Sequence, residues 1–252
     1  MRDEGGEIVA LSVVKTGDQV AVHSALAENP RPIEILDHTS EISRPSNVLL
    51  KPVVRVARSL GKGISRAAEE EGCDLIVMGF SAEEGVGSNS LTEKLLNKAK
   101  KDLIFLRLKG EFSPKRIAVS LAGTVNENLM VRLAGRLADE FDGEITFFNI
   151  LPVEYTTEQR AHSDEVLTEA VRQHAARAIY RTELLVSDDP VELLATESKK
   201  FDLLVIGTTK VGFFEKAVVG SFAAQVLERA HCSVAAVRVI STMRKTLNRV
   251  GI

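Results

Sequence analysis

Asp74-Leu-Ile-Val-Met-Gly79 and Asp202-Leu-Leu-Val-Ile-Gly207 are the two stretches whose reading decides the fold. Each is a short, unbroken apolar run between an aspartate and a glycine, the pattern of a strand buried on both faces of a parallel sheet. Their surroundings repeat too. A helical stretch rich in Glu and Lys precedes each, Ile64 to Gly72 and Val191 to Lys200. Each then leads through a Gly-bearing loop and a second helix to another apolar run, Leu103 to Leu108 and Ser233 to Ile240. Further upstream, Glu7 to Val14 matches Glu144 to Leu151, both after an acidic-Gly turn. Strands alternating with helices in one fixed order, twice, imply an α/β chain of two Rossmann-like domains, each a doubly wound parallel sheet of right-handed βαβ units.

The second copy reads in full from Lys115. Ile117 to Leu121 forms its first strand, and Asn126 or Glu127 opens a helix with Leu129, Leu133, Ala134, Leu137 and Phe141 on one face. Asp142-Gly143 ends that helix before the second strand. A long amphipathic helix is predicted from Thr157 to Ile179, with Leu167, Ala170, Val171, His174 and Ala178 inward. Thr182 to Val186 is the third strand, stopped by Ser187-Asp-Asp-Pro190, where Pro190 suits the first turn of the next helix.

The first copy differs at its start, because only Met1 to Gly6 precede Glu7. The equivalent point of the second copy follows a strand and a helix, so about 25 residues of a first βα unit are lacking, and in a doubly wound sheet that strand is central. The expectation is that the reading frame continues upstream, or that another chain fills the slot. Thr16 to Asn47 is the least regular part, with a short helix predicted over Ile33 to Ile42. The predicted domains are therefore 1–110, degenerate and lacking its initial strand and helix, and 115–240, complete, joined by Lys109 to Pro114 and followed by a tail at 241–252.

Composition narrows the function classes. In 252 residues, 32 basic and 35 acidic side chains give a net charge of −3 without clustering, which argues against a nucleic-acid partner. No apolar stretch approaches the ~20 residues that span a bilayer, so no membrane insertion is expected, and the start MRDEGGEIVA has no signal-peptide core. Cys73 and Cys232 sit beside apolar runs and read as structural thiols in a reducing cytoplasm. His23, His38, His162, His174 and His231 show no metal-ligand spacing. No Ser–His–acid order, no Cys-centred nucleophile and no acidic metal cluster stands out, so neither catalytic nor metal residues are assigned.

With these residues in hand, the chain resembles the tandem universal stress proteins from Gly5 to Ile240. The most telling part is Asp202 to Gly207 followed by Gly220-Ser221. The family's nucleotide-binding members carry a Gly, two residues, a second Gly, nine residues, then Gly-Ser or Gly-Thr. Here Gly207 and Gly220-Ser221 keep that register and Lys210 replaces the middle Gly. The first copy departs further, with Ala82 and Thr92 at the second and last Gly positions, although Gly85 and Gly87 lie in the same loop. The resemblance also implies an Asp at the end of the first strand that meets the nucleoside. Ala122 stands there, with Gly123 and Thr124 matching the small residues after it. Losing a carboxylate acceptor removes a charge-assisted hydrogen bond. Any ATP or AMP binding is therefore expected to be weak and confined to Ala122, Gly123, Thr124, Gly207, Lys210, Gly220 and Ser221.

Physically, Gly220-Ser221 offers either an anion-binding helix N-terminus or a tight turn with an N-cap that needs no ligand. Val53 to Ile64 followed by Asp74 to Phe80 resembles the stress-protein domains fused behind the membrane domains of amino-acid permeases and cation/proton antiporters. The resemblance implies a non-enzymatic regulatory module in the cytoplasm, tethered at the inner face of the membrane through a transporter membrane domain. The alternative is a free-standing stress-response protein that binds ATP or AMP. It further implies a pseudo-dimer within the chain, Leu103 to Leu108 facing Val234 to Val239, and leaves a homodimer open. The tail places Met243, Leu247 and Val250 on one helical face.

Overall fold

The computed structural model describes residues 6–16, 31–43, 49–80, 99–174, 179–208 and 221–240. Runs of β-branched and aromatic residues form the strands, and Gly, Asp and Pro close them. In order, the elements are β1 (Glu7–Lys15), α1 (Arg31–Ser43), β2 (Leu49–Ala57), α2 (Leu60–Glu70), β3 (Leu75–Gly79), β4 (Asp102–Arg107), β5 (Arg116–Leu121), α3 (Glu127–Phe141), β6 (Glu144–Leu151), α4 (Thr157–His174), β7 (Ile179–Val186), α5 (Pro190–Glu197), β8 (Leu203–Gly207), α6 (Ser221–Arg229) and β9 (Ser233–Arg238). The chain is α/β, with two copies of a Rossmann-like arrangement. The tail 241–252, the loop bearing Ala82, Gly85, Gly87 and Thr92, His23 and Ala178 lie outside the described residues.

The first compact unit comprises Met1–Ile76 and Asn97–Lys101, the second Val77–Leu96 and Asp102–Ile252, so the division falls inside β3. In the first unit β1 and β2 form a two-stranded parallel sheet, paired from Glu7↔Leu49 to Lys15↔Ala57. Helix α2 lies close to this sheet, burying Gly63, Ala67 and Ala68. A Cβ on Gly63 would stand 2.9 Å from both Ala57 Cβ and Val13 Cγ1. At the end of α2, Glu71 accepts from Lys51 Nζ at 2.6 Å and Arg55 at 2.9 Å.

A seven-stranded sheet runs in the order β3-β4-β9-β8-β5-β6-β7. Its strands from β7 through β6, β5 and β8 to β9 are parallel, and β9 meets β4 antiparallel. Its core joins Ile117, Val119, Ile145 and Phe147 of the sheet to Met130, Val131, Ala134 and Ala138 of α3 and Val166, Leu167 and Ala170 of α4. The inner face of α3 is therefore rotated from the sequence reading. Met130, Ala134 and Ala138 lie innermost, while Leu129, Leu133 and Leu137 pack on its flank. Phe141 meets Phe112 edge to face.

The strands of the first copy divide between the two sheets. In the second copy β5 stands between β6 and β8 and holds them together. The first copy has no strand in that position among its described residues, so nothing links β1 and β2 to β3 and β4 by a ladder. Instead β4 pairs with β9 from Leu103↔Arg238 to Arg107↔Val234. Both ends of this ladder are closed alike. Lys109 N–H donates to Ser233 Oγ at 3.0 Å, and Ile240 N–H donates to Asp102 Oδ1 at 2.9 Å. Phe80 N–H to Leu106 O and Thr208 N–H to Val237 O are likewise equivalent. These matches set a local pseudo-twofold through the Phe105↔Ala236 pair. Arg107 then donates to the carbonyls of Glu228, Ala230 and Cys232, capping the negative end of α6.

Local signals explain the element ends. Asp189 caps α5 by accepting from Val191 and Glu192, with Pro190 in its first turn. Asp142, not Gly143, takes the left-handed conformation after α3, at φ 51°. Gly143 is favoured for another reason, since a Cβ there would stand 3.0 Å from Lys115 O, a tight approach to backbone. The helix predicted to reach Ile179 is described only to His174, and Ile179 opens β7. Cys73 and Cys232 are both free thiols, and burial pushes the Cys232 thiol up to about 11.

Candidate functional site

The crevice of an open α/β sheet opens at the carboxyl ends of the strands, where the strand order reverses. In the second copy that point is β5, with β6 on one side and β8 on the other. The pairs Val119↔Val205 and Ser120↔Ile206 set the two strand ends side by side, and so bring Ala122, Gly123 and Thr124 to the same edge as Gly207. The start of β5 is fixed from β8: Asp202 accepts from the N–H groups of Lys115 and Arg116 at 3.1 and 2.8 Å and from the Arg116 guanidinium at 2.7 Å. The Arg116 hydrogen bond is the main cause holding the Asp202 carboxyl below its ordinary range.

Glu127, in the first turn of α3, turns its carboxylate back over the loop. Its Oε1 accepts from the N–H groups of Ala122, Gly123 and Thr124 at 2.8, 2.5 and 3.1 Å. Three convergent backbone N–H groups form a nest of the kind that binds anions, and here the chain supplies the anion itself. Gly123 adopts φ +71°, and a Cβ on it would lie 2.5 Å from His162 Nε2. Thus Gly123 meets two demands that have nothing to do with a phosphate.

Gly207 is equally well explained by packing. A Cβ there would stand 2.9 Å from Asn126 Nδ2 and 3.6 Å from Met130 Sδ. Asn126 is fully buried, and its Oδ1 accepts from Val239 N–H at 2.8 Å, tying the start of α3 to the end of β9. Beside Gly207, Thr208 is buried and its Oγ1 has no partner among the described residues. Lys210 and Gly220 lie outside the described residues, and Ser221 opens α6 with its side chain undescribed. Four of the seven candidate residues are therefore brought together, around two side chains, Asn126 and Glu127, that the sequence reading did not assign. The acidic side chain in the first helical turn, right after the Ala122-Gly-Thr loop, is the local signal that points to the second.

His162 stands at this crevice, His38 lies 3.8 Å from Glu41 on α1, and His231 N–H donates to Ser198 Oγ. The side chain of His174 is outside the description. Among the described residues no group of three His, Cys, Asp or Glu is placed to hold a metal ion, and no helix is long and apolar enough to cross a membrane.

Two copies of one open α/β domain, each with the same Asp-to-Gly strand, define a class. The universal stress protein family profile matches residues 1–107 and 114–238, and the chain belongs to that family. Its relatives include the Na(+)/H(+) antiporter NhaS5 of Synechocystis, 24% identical over 214 residues, a match covering 81% of this chain and 30% of the antiporter. The universal stress protein MJ0531 of Methanocaldococcus jannaschii is 27% identical over 144 residues, 51% of this chain and 85% of that protein. A universal stress protein from Archaeoglobus fulgidus superposes with a TM-score of 0.64 at 16% identity, over 91% of this chain and 85% of its own. A putative universal stress protein from Pseudomonas aeruginosa gives 0.60 at 15% identity, over 90% and 92%. At these identities the two structures speak for the fold alone.

Proposed function

We propose that this chain is a regulatory module without chemistry of its own, the cytosolic stress-protein region of a longer cation/proton antiporter. The observation that carries this reading is the reach of the antiporter similarity, 81% of this chain and therefore both copies. The matched part is 30% of the antiporter, which leaves ample length for a membrane domain. The module would lie at the inner face of the membrane and act on its transporter by contact, with β4 and β9 making it an internal pseudo-dimer. An antibody against this chain should find it in the membrane fraction as part of a polypeptide much larger than 27.5 kDa. Deleting the region should change cation flux without removing the transporter from the membrane. A free band at the size of the chain would sink the proposal.

The second reading is a free-standing protein that binds ATP or AMP in its second half, through Gly207, Lys210, Gly220 and Ser221 with Ala122 to Thr124. The engagement of the 122–124 amides by Glu127 favours weak binding, because a ligand anion has to compete with a carboxylate already in place. Calorimetry on the chain and on Gly220→Val should give a dissociation constant of roughly 0.1 mM or weaker in the parent, about 5 kcal/mol of binding, and loss in the variant. Micromolar affinity, or binding that Gly220→Val leaves unchanged, would overturn this assignment.

A further inference from the structure

We infer that the outer edge of β1, the one facing away from β2, is the docking edge for a parallel strand followed by an amphipathic helix, supplied by the same polypeptide upstream of the residues described. This rests on the reading of the chain as part of a longer protein. The repeat supplies the template. Glu7↔Leu49 and Glu144↔Ile179 begin two ladders that run in step to Val14↔Val56 and Leu151↔Val186, so β1 and β2 are the counterparts of β6 and β7. On its other edge β6 carries β5, from Arg116↔Glu144 to Leu121↔Asn149. Transferred in register, a six-residue strand would pair with Glu7 to Ser12 of β1, where the described residues place no strand.

Burial records the missing neighbour. Ile145 of β6 is wholly buried, while its counterpart Ile8 is 53% exposed. In the same unit Leu75, the counterpart of the wholly buried Leu203, is 37% exposed. An edge of unpaired backbone groups flanked by exposed apolar side chains is a template for strand addition.

The first copy also keeps the residue that fastens such a strand. Asp202 clasps the start of β5 through the N–H groups of Lys115 and Arg116. Asp74 occupies the matching position before β3, and it belongs to the same compact unit as β1. The occupant should therefore have the character of β5, whose Ile117, Ala118, Val119 and Leu121 are all buried. The occupant should begin with a residue that keeps its N–H, and a helix should join it to Glu7 as α3 joins β5 to β6.

The repeat provides its own probe. A fusion placing a second copy of residues 115–143 directly before Glu7 recreates the Gly143–Glu144 junction and is compared with the same fusion carrying Val119→Pro in the added copy alone. Amide hydrogen exchange over residues 7–15 should slow by roughly 100-fold in the first fusion and not in the second, as for amides moved from an open edge into a ladder. Equal exchange in the two fusions, with β8 and β9 still protected, overturns the inference. The source is tested by expressing the chain with the coding sequence that naturally precedes it. Protection of β1 is expected there as well, and a stop codon or unchanged β1 exchange overturns it. Should β1 be protected by an upstream sequence without membrane spans, the transporter reading fails and the docking edge stands.

Discussion

Replacing Glu127 by alanine removes a single oxygen that three backbone N–H groups share. A hydrogen bond to a charged group is worth about 1.5–3 kcal/mol in stability, but the three here converge on one Oε1 and are not additive. Gly123 is exposed, so water replaces that bond at little cost, whereas Ala122 and Thr124 are half-buried. Glu127 also places negative charge in the first turn of α3, a further ~0.3–1 kcal/mol. Glu127→Ala should therefore cost about 2–3 kcal/mol. Glu127→Gln, which keeps the acceptor and loses the charge, should cost about 1 kcal/mol. Urea unfolding followed by far-UV circular dichroism measures both, with exchange of the 122–124 amides showing where the loss arises. If alanine costs under ~0.5 kcal/mol, or leaves exchange of the 122–124 amides unchanged, Glu127 is not the anion of this nest.

Three further outcomes follow from the same region. Asp202 is held below its ordinary pKa, so its stabilisation is complete above about pH 4 and is lost as the pH falls through the lowered value; Asp202→Asn should cost about 1 kcal/mol at pH 7, given its partial exposure, and flatten the acid limb of the stability profile, and an unchanged limb would contradict the clasp. Gly123→Ala meets both φ +71° and His162 Nε2, and should lose about 2 kcal/mol, part of which His162→Ala restores in the double variant. Asn126→Ala leaves Val239 N–H without its buried acceptor and should lower stability by about 2–3 kcal/mol, while Gly207→Ala pushes on the same side chain and should add less on top of it than alone. Strict additivity of that pair, read by denaturant unfolding, would show that they do not touch.

The sheet is legible wherever burial on both faces forces an unbroken apolar run, as at Leu203 to Gly207 and Leu103 to Leu106. Strand β2 is hidden in the sequence, because Lys51, Pro52 and Arg55 interrupt its pattern and much of it is exposed. The hydrophobic pattern misplaces the face of α3, since the small residues Ala134, Gly135 and Ala138 are buried while large leucines at its flank dominate the pattern. At the crevice, the glycines were read through a phosphate-binding spacing, yet Gly123 and Gly207 answer to His162 and Asn126. Those contacts join residues far apart in sequence, and no local pattern encodes them.

The pairing of β4 with β9 also sets an order of events during synthesis. Strand β4 emerges early, and its ladder partner arrives only after the whole second copy has been translated. Through that interval Leu103, Ile104 and Phe105, which end up almost wholly buried, can pair with β3 but leave the β9 edge of their strand open, while β1 and β2 can already zip together. Long-range pairing of this kind is slow and exposes apolar strands to wrong partners. A chain cut after Gly110 would hold that vulnerable state permanently, so the first copy, expressed by itself, should aggregate where the second does not.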